Sequence, residues 1–247
     1  FTTGTGEKTI MVEKWSMLSK ALLPLPAKWH VLKDTEQRYR QRYLDLIANP
    51  EVRELFNKRT QLVREIRNYL FDRGFLEVET PMMQAIAGGA AAKPFVTHYH
   101  ALGSDMYLRI APELYLKRLL VGGFDKVFEL NRNFRNEGLS RTHNPEFTML
   151  EIYEAYSDLR GMRALIEGMI THVSQAVFGT LKVGTPTMPI DLTPPWREAT
   201  YRDLIKEKMG ADWFDLPLAE ARAKAEAAGL SLAPEWDMLM VTHEVYE

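Results

Sequence analysis

The sequence predicts an α+β fold built around a mostly antiparallel sheet. Three observations lead to this prediction. The helical and strand-like tracts do not alternate as they do in parallel βαβ folds. Neither type of Gly-rich phosphate loop is present. The tract VFELNRNFRNEGLSRTHNPEFTMLEIYEAY, residues 127–156, has the pattern of two long strands joined by a polar loop. A nucleotide site in such a fold has to be built from side chains on the sheet.

Composition excludes several classes of protein. The 247 residues include no cysteine, which rules out disulfide frameworks, thiol catalysis and thiolate metal sites. The six histidines are dispersed, so we expect no metal site within this chain. With a formal net charge of −2, a nucleic-acid partner would need local basic patches. No apolar run is long enough for a membrane span, and the N-terminus resembles no targeting peptide. We therefore expect a cytoplasmic protein without a membrane partner.

The first 33 residues have the pattern of a terminal piece of a β domain. Residues 9–12 are expected to form a short strand, and a proline-punctuated segment follows. One strand cannot bury its own face. The piece therefore packs on the main domain or is the end of a small β domain whose beginning is missing. We favour the second, because the chain opens in mid-pattern without an initiating methionine.

Two helices and a strand are expected next. Residues 34–48 predict one helix, stopped by Asn49-Pro50. Residues 51–72 predict the longest helix and carry an apolar stripe at helical spacing. The stripe consists of Leu55, Leu62, Ile66 and Leu70. A strand over residues 75–79 is closed by Thr80-Pro81.

Before the hairpin, a loop of small residues precedes two strands and a helix. The loop, IAGGAAAKP at residues 86–94, would let backbone approach a ligand or another chain closely. It is also compatible with a plain linker. Residues 95–99 and 106–110 predict strands, and a helix starts at Pro112.

The hairpin tract carries the candidate chemistry. Its loop is rich in polar side chains, among them Arg135, His143 and Asn144. Arginine offers a bidentate fork to phosphate oxygens, and the other two add donors. Glu151 and Tyr153 lie two residues apart on the returning strand and so share one face. The residues alone leave a second interpretation open, in which the loop is a solvated hairpin tip.

The last third of the chain predicts mainly structural elements. Residues 158–178 form an amphipathic pattern typical of a packed helix. A proline-rich, β-leaning segment follows. Three further helices are expected, starting near Thr200, near Leu216 and near Pro234.

Two tracts resemble the signature motifs of class II aminoacyl-tRNA synthetases. The helix and proline-closed strand LFNKRTQLVREIRNYLFDRGFLEVETPMM are similar to motif 1. The hairpin is similar to motif 2, whose Phe-Arg-x-Glu core is here residues 134–137. With GGAAAKPF between them, and with KDTEQRYRQRYLDLI and YLRIAPELYLKRLLVGG, they resemble the bacterial-type lysyl-tRNA synthetases. The resemblance is strong over residues 8–178 and weak beyond them.

This resemblance implies a class II synthetase-like antiparallel sheet flanked by helices, preceded by the tail of an OB-fold β-barrel. Residues 1–33 would be the end of the OB-fold, anticodon-binding domain with its linker. Residues 34–247 would be a partial catalytic domain with motifs 1 and 2. Motif 3, the acidic magnesium ligands and the rest of the lysine pocket are expected beyond Glu247. The chain is thus expected to be an incomplete fragment, truncated at both ends.

The resemblance also implies a reaction and partners. ATP, with Mg²⁺, would activate lysine to lysyl-adenylate, and the lysyl group would pass to tRNA(Lys). Little acid–base chemistry is needed, so positioning and charge stabilisation would carry the catalysis. A homodimer would form through the motif 1 helix and strand, residues 51–81.

Five residues are implied to bind ATP. Arg135 would hold the α-phosphate and the lysine carboxylate, which makes it the implied catalytic residue. The others are Glu137 at the adenine amino group, His143 at the distal phosphates, Asn144 beside the adenosine and Phe147 stacked on adenine.

Lysine itself is implied to contact five residues, including Arg135. Gly89 and Glu113 would bind its α-amino group. Glu151 and Tyr153 would face its side chain, where a carboxylate and a hydroxyl suit an ammonium.

Two positions depart from the family pattern. Many relatives place an arginine directly before the loop histidine, whereas here Thr142 stands directly before His143 and Arg141 precedes it. Lys93 stands where arginine is common, and lysine lacks the planar fork.

Several alternatives stay open on the sequence alone. Glu113 would also suit a helix N-terminus, Tyr153 a strand core, His143 a solvated loop and Gly89 a plain turn. The chain could belong to a relative that attaches lysine to a protein, or be a non-catalytic truncated protein that dimerises through motif 1. Charging with aspartate or asparagine is a further alternative, because those enzymes share the architecture.

Overall fold

The computed structural model describes residues 1–23, 32–140 and 142–247, which form two compact units. The first unit comprises Phe1–Met162 and His172–Gly179. The second comprises Arg163–Thr171 and Thr180–Glu247. Part of the predicted linker, residues 24–31, and Arg141 of the hairpin loop lie outside the described residues.

The N-terminal strand predicted at residues 9–12 does not form within the described part of the chain. An isolated antiparallel bridge joins Thr2 to Lys8 instead. Ile10, Met11 and Val12 are 87%, 74% and 67% exposed. The prediction was wrong for this segment because a strand needs hydrogen-bonding neighbours, and no described strand lies beside it.

The single helix predicted at residues 34–48 is two helices, α1 (Thr35–Arg40) and α2 (Arg42–Ala48). Gln41 separates them with φ −119° and ψ 58°. In an unbroken helix, residues seven apart lie roughly 10 Å apart along the axis. The break brings Arg38 Nε to within 2.7 Å of Asp45 Oδ1.

Asp45 is the buried centre of this helical corner. Its carboxylate also pairs with Arg42 and accepts from Asn49 Nδ2 at 2.6 Å. Burial opposes the charged form, but the hydrogen bonds from Asn49 and Arg38, the charge of Arg38 and the hydrogen bond from Arg42 hold the pKa of Asp45 below its ordinary value of 3.8.

Acid should loosen the corner around Asp45. A carboxyl whose pKa is depressed by folding contributes stability above its unfolded pKa and loses that contribution as the pH falls through the folded pKa. We expect Asp45→Asn to lower the melting temperature at neutral pH, and the gap to the wild type to narrow as the pH falls below 3.8. Thermal unfolding followed by circular dichroism at a series of pH values measures this. A gap that stays constant through the acid range would contradict it.

Helix α3 (Pro50–Phe71) confirms the prediction of the longest helix. Its apolar stripe faces the core only in its C-terminal half. Leu70 is fully buried and Leu62 and Ile66 are half-buried, whereas Leu55 is 65% exposed.

The sheets are mainly antiparallel, as predicted, with one parallel pair. One three-stranded sheet has the order β1 (Leu76–Glu77), β5 (Lys126–Phe134), β6 (Glu146–Glu154). The other has the order β2 (Met83–Gln84), β4 (Ser104–Leu108), β3 (Val96–Tyr99), and all of its pairs are antiparallel. The sequence did not indicate β2 or the parallel pairing of β1 with β5.

The β5–β6 hairpin confirms the two long strands. Nine residue pairs run from Lys126–Glu154 at the base to Phe134–Glu146 at the tip. Directly opposed residues of two strands project to the same face, and successive residues alternate between faces. One face therefore carries the pairs Val127–Tyr153, Glu129–Glu151, Asn131–Met149 and Asn133–Phe147. We call this the site face.

Two helices complete the elements of the first unit. Helix α4 (Glu113–Val121) leads into the hairpin. Helix α5 (Leu159–Phe178) follows it and contributes residues to both units. Asp158 caps α5 by accepting from Gly161 N at 2.9 Å, and Gly179 ends it with φ +69°.

The second unit is a two-stranded hairpin and a helical group. The hairpin consists of β7 (Lys182–Thr185) and β8 (Met188–Asp191). The helices are α6 (Tyr201–Met209), a 3₁₀ turn (Trp213–Asp215), α7 (Leu218–Ala227) and α8 (Met238–Tyr246). Helix α8 begins four residues after Pro234, since Asp237 supplies the cap by accepting from Met240 N. Trp213 is buried in the core of this group and donates to Thr242 Oγ1 at 3.1 Å.

Candidate functional site

A cavity of about 280 Å³ lies in the loop that joins β5 to β6. The loop carries the Phe-Arg-x-Glu core at its start and returns through Pro145 to β6. The structure places all five predicted ATP-binding residues around this cavity, together with three residues that were not predicted to bind ATP. The eight residues are Arg135, Glu137, Gly138, Thr142, His143, Asn144, Pro145 and Phe147.

Arg135 is held beside the aromatic wall of the cavity. Its guanidinium carbon lies 5.2 Å from the centre of the Phe147 ring, and its backbone N donates to Pro145 O at 2.9 Å. Its Nε is buried without a hydrogen-bond partner among the described residues. Buried donors normally have partners, so Nε suits an incoming acceptor such as a phosphate or carboxylate oxygen.

Local hydrogen bonds orient His143. Its Nδ1 lies 2.8 Å from Ser140 Oγ and 3.2 Å from Thr142 Oγ1. Ser140 Oγ accepts from the backbone N of Thr142 at 3.2 Å and of His143 at 3.1 Å, so its own proton can go to Nδ1. That arrangement leaves Nε2 of a neutral imidazole as an N–H donor.

The small-residue loop is pinned to the hairpin loop by backbone groups. Lys93 N donates to Glu137 Oε1 at 3.3 Å, and Asn136 N donates to Lys93 O at 2.7 Å. These contacts use the main chain of Lys93. These backbone contacts are therefore the same whether residue 93 is lysine or arginine.

The second group of predicted residues gathers nearer the base of the hairpin. Tyr153 Oη donates to Glu151 Oε2 at 3.0 Å. Glu113 opens helix α4 and pairs with Lys117 at 2.5 Å. Gly89 packs against this helix start, since an added Cβ would lie 3.0 Å from Glu113 Cβ and 3.2 Å from Ala111 Cβ. The structure thus brings Gly89, Glu113, Glu151 and Tyr153 together.

Electrostatics at this end of the site favour a cation. Burial, and then the nearby charge of Glu113, raise the pKa of Glu151, whereas the hydrogen bond from Tyr153 lowers it. Burial and the charge of Glu151 also raise the pKa of the Tyr153 hydroxyl, so it stays a protonated donor. The half-buried carboxylates of Glu113 and Glu151 repel each other, and a positively charged ligand reduces this repulsion.

Replacing Gly89 with alanine should disturb the position of Glu113. Gly89 has φ +89°, where a side chain strains the backbone by about 1–3 kcal/mol. The new Cβ would also press on Glu113. We expect Gly89→Ala to lower the melting temperature and to weaken binding of the lysine that the resemblance implies, as measured by thermal unfolding and calorimetry.

Gly123→Ala is the matched control for Gly89→Ala. Gly123 has φ +102°, but an added Cβ there meets nothing within 4 Å. The control should lose stability through strain alone and keep its affinity for lysine. Equal losses of affinity in the two variants would contradict a specific role of Gly89.

Both groups of residues belong to one surface. Phe147, Glu151 and Tyr153 lie on the site face, and Arg135 follows β5 two residues after Asn133, with the same parity. The loop end of this face offers an arginine, a histidine and an aromatic ring. The base offers carboxylates and a phenol. The arrangement therefore suits a ligand pair that is anionic at one end and cationic at the other.

The sequence-based interpretation missed a buried ion pair that includes Glu129 of this face. Arg109 and Glu129 are 0% and 1% exposed, and Arg109 Nη1 lies 2.6 Å from Glu129 Oε1. The signal was present in the sequence, because an arginine inside the apolar tract MYLRIA is seldom buried without a partner.

The sequence of this chain matches a family model and several known proteins. A family model described as "tRNA synthetases class II (D, K and N)" matches residues 34–239. The chain is 54% identical over 250 residues to the lysine–tRNA ligase of Pelotomaculum thermopropionicum, covering 100% of this chain and 49% of that protein. It is 53% identical over 248 residues to the lysine–tRNA ligase of Moorella thermoacetica, covering 100% and 51%. It is 60% identical over 213 residues to the lysine–tRNA ligase of Syntrophomonas wolfei, covering 86% of this chain and 43% of that protein. The chain spans about half the length of the curated relatives it matches.

Proposed function

Because this chain belongs to the class II tRNA synthetases of the D, K and N group, we propose that it is part of a lysine–tRNA ligase. Such a protein activates lysine with ATP and transfers the lysyl group to tRNA(Lys). The observation that carries this proposal is the site face, which joins a phosphate-suited loop to an acidic pocket. Identities of 53–60% with proteins named lysine–tRNA ligases support it.

ATP would bind at the loop end of the site face. Arg135 would bind the α-phosphate through the buried Nε that has no described partner. His143 would donate from Nε2 to a distal phosphate oxygen, and Phe147 would stack on the adenine. Glu137 would accept from the adenine amino group, and Asn144 would lie beside the adenosine. These five residues line one cavity, which supports the assignment.

Lysine would bind at the base of the site face. The ε-ammonium would lie against Glu151, whose carboxylate already accepts from Tyr153. Gly89 and Glu113 would hold the α-amino group, and Arg135 would orient the carboxylate toward the α-phosphorus. Only lysine has a side-chain ammonium to pair with the half-buried carboxylate of Glu151, which supports lysine over aspartate or asparagine.

The chemistry follows from this placement. A lysine carboxylate oxygen attacks the α-phosphorus, the bond to the bridging oxygen breaks, and pyrophosphate leaves. A terminal ribose hydroxyl of tRNA then attacks the lysyl carbonyl, and AMP leaves. The protein's contribution is to align the two reactants and to stabilise charge on the phosphate oxygens with Arg135.

Magnesium belongs to the proposal as the ion that accompanies ATP. Across residues 1–23, 32–140 and 142–247, no group of three or more His, Cys, Asp or Glu side chains could hold a metal ion.

Within the same ranges, no helix is long and apolar enough to cross a membrane. The relatives' name, lysine–tRNA ligase, supports a role in translation. We propose that the protein performs this role in the cytoplasm.

The domain organisation is also proposed. The family match begins at residue 34, where the predicted catalytic part begins, which supports assigning residues 34–247 to part of a class II catalytic domain. Residues 1–33 are assigned to the end of an OB-fold domain and its linker. Relatives named tRNA ligases align with the whole chain, which favours a tRNA acceptor over a protein acceptor.

A homodimer through residues 51–81 is supported by apolar exposure on α3 and β1. Leu55, Phe56 and Leu76 are exposed there. Sedimentation of the wild type and of Leu55→Asp tests this, with a dimer expected for the first and weaker association for the second.

This surface also supports the second candidate function, a non-catalytic dimerising protein. A dimer that binds neither ATP nor lysine would favour that candidate.

Ligand binding tests the main proposal. Isothermal calorimetry on this chain should show binding of ATP, and of lysine in preference to aspartate and asparagine. Lysine-dependent exchange of pyrophosphate into ATP then measures activation. Binding of aspartate or asparagine in preference to lysine would overturn the substrate assignment.

A further inference from the structure

Arg109 is a buried arginine that joins three parts of the first unit. It follows β4 directly and is fully buried. Its Nη1 contacts Glu129 Oε1 at 2.6 Å and Thr80 Oγ1 at 3.0 Å. Its Nε donates to Arg132 O at 2.9 Å. A guanidinium this deep is stable only when carboxylate and carbonyl oxygens surround it.

The carboxylate of Glu129 accepts four hydrogen bonds from its neighbours. Besides Arg109, its oxygens accept from Thr80 Oγ1 at 2.6 Å, Thr80 N at 3.3 Å and Asn131 Nδ2 at 3.3 Å. Three of the four donors reach Oε1 and one reaches Oε2, so neighbouring groups already use most of the acceptor capacity of this carboxylate. Glu129 lies on the site face, and its charge is paired with Arg109.

The pair nevertheless lies beside the acidic pocket. Glu129 is directly opposite Glu151 in the β5–β6 register, and opposed side chains are close enough to interact strongly. Among the described residues, the groups that shift the pKa of Glu151 are Tyr153 on its own strand, Glu113 from α4, Glu129 from β5 and Arg109 after β4. Among them, Arg109 is the cation.

We propose that Arg109 is a positioning residue for the acidic pocket, because it neutralises Glu129 and so leaves Glu151 as the charged carboxylate that a lysine ammonium meets. This inference rests on the proposed lysine site. Without Arg109, the buried charge of Glu129 would stand unpaired directly opposite Glu151 and would favour the protonated form of Glu151. A protonated Glu151 would bind an ammonium poorly.

Arg109 also braces the strand that leads to Arg135. Its side chain bonds to the carbonyl of Arg132, and its own carbonyl accepts from Phe134 N at 2.9 Å. One residue therefore fixes the end of β5 and balances the charge at its middle. The ammonium-binding end and the phosphate-binding end of the site face share this support.

Two single substitutions should shift the pKa of Glu151 in opposite directions. Arg109→Gln removes the positive charge and should raise it, whereas Glu129→Gln removes a negative charge and should lower it. The double variant should return toward the wild type. Carbon-13 NMR titration of the side-chain carboxyls measures this on this chain without ligand, and the Glu151 signal is assigned by its loss in Glu151→Gln.

Opposite shifts distinguish charge balance from a merely structural role. Loss of packing alone would affect both variants in the same direction, and shifts of equal sign, or none, would overturn the proposal. Arg109→Lys keeps the charge and should leave the pKa of Glu151 near the wild-type value. This variant is compared with Glu129→Gln if Arg109→Gln does not fold.

Lysine binding is then measured for the same proteins. Affinity at neutral pH should fall for Arg109→Gln and recover as the pH rises. If the pKa of Glu151 shifts as expected but none of the proteins binds lysine, the proposed function fails while the charge relationship stands. If lysine binds the wild type but neither variant shifts the pKa of Glu151, the role of Arg109 fails while the function stands.

Discussion

Replacing Arg135 with alanine should weaken ATP binding about 10- to 100-fold, since hydrogen bonds to charged groups contribute roughly 1.5–3 kcal/mol. Arg135 is the residue with the buried Nε that lacks a partner in the described part of the chain, and its guanidinium lies over Phe147. Calorimetric titration with ATP measures the affinity. Pyrophosphate exchange, where it can be detected, should fall further, by about 100- to 1,000-fold, because transition-state charge is then unpaired.

Arg132→Ala is the matched control for Arg135→Ala. Arg132 lies three residues earlier on β5 but on the opposite face, where its Nε is 3.5 Å from Glu146 Oε1. Its backbone carbonyl, which accepts from Arg109, survives the substitution. Both variants lose one positive charge from the same hairpin. If they weaken ATP binding equally, the effect comes from the general charge of the hairpin and Arg135 has no special role.

Replacing Glu151 with glutamine should weaken lysine binding about 10- to 100-fold, because a charge-assisted hydrogen bond becomes a neutral one. The change keeps the size of the side chain and preserves an acceptor for Tyr153. ATP binding should stay unchanged, because the cavity at the loop end does not include Glu151. Unchanged lysine affinity in this variant would refute the assignment of the ammonium site.

Lysine binding should also depend on pH through Glu151. Burial and Glu113 raise the pKa of this carboxyl, and an ammonium binds the ionised form. Affinity should therefore rise as the pH increases through the raised pKa, and Glu151→Gln should abolish this dependence. Glu154→Gln is the control, since Glu154 lies on the opposite face and pairs with Lys126 at 2.8 Å. That variant should bind lysine as the wild type does.

The hairpin was predictable because its information is local. Alternation along residues 146–154 assigns Glu151 and Tyr153 to one face whatever packs around them. The polar loop between two apolar runs likewise follows from residue order. The structure has two strands of nine residues there, and five residues singled out beforehand line one cavity. Their roles in binding ATP rest on the family resemblance and await the tests above.

Other features depended on contacts that the sequence pattern does not show. The break at Gln41 brings Arg38 to Asp45, which Arg42 also contacts from the next helix. No local signal at Gln41 marks it, so the helical pattern of residues 34–48 looks continuous. The short strand β1 pairs in parallel with β5, about fifty positions away. The residues of neither strand indicate which strand it pairs with.

By itself the sequence determined the α+β class, the long hairpin and the side chains that share its site face. Periodicity of two or 3.6 residues is a property of neighbours along the chain. The tertiary structure alone decided which groups meet a buried charge. Arg109 and Glu129 are 20 residues apart, and Thr80 and Glu129 are 49 apart. A buried charge is stable only beside its partner, and which residue becomes that partner is settled when the sheet assembles.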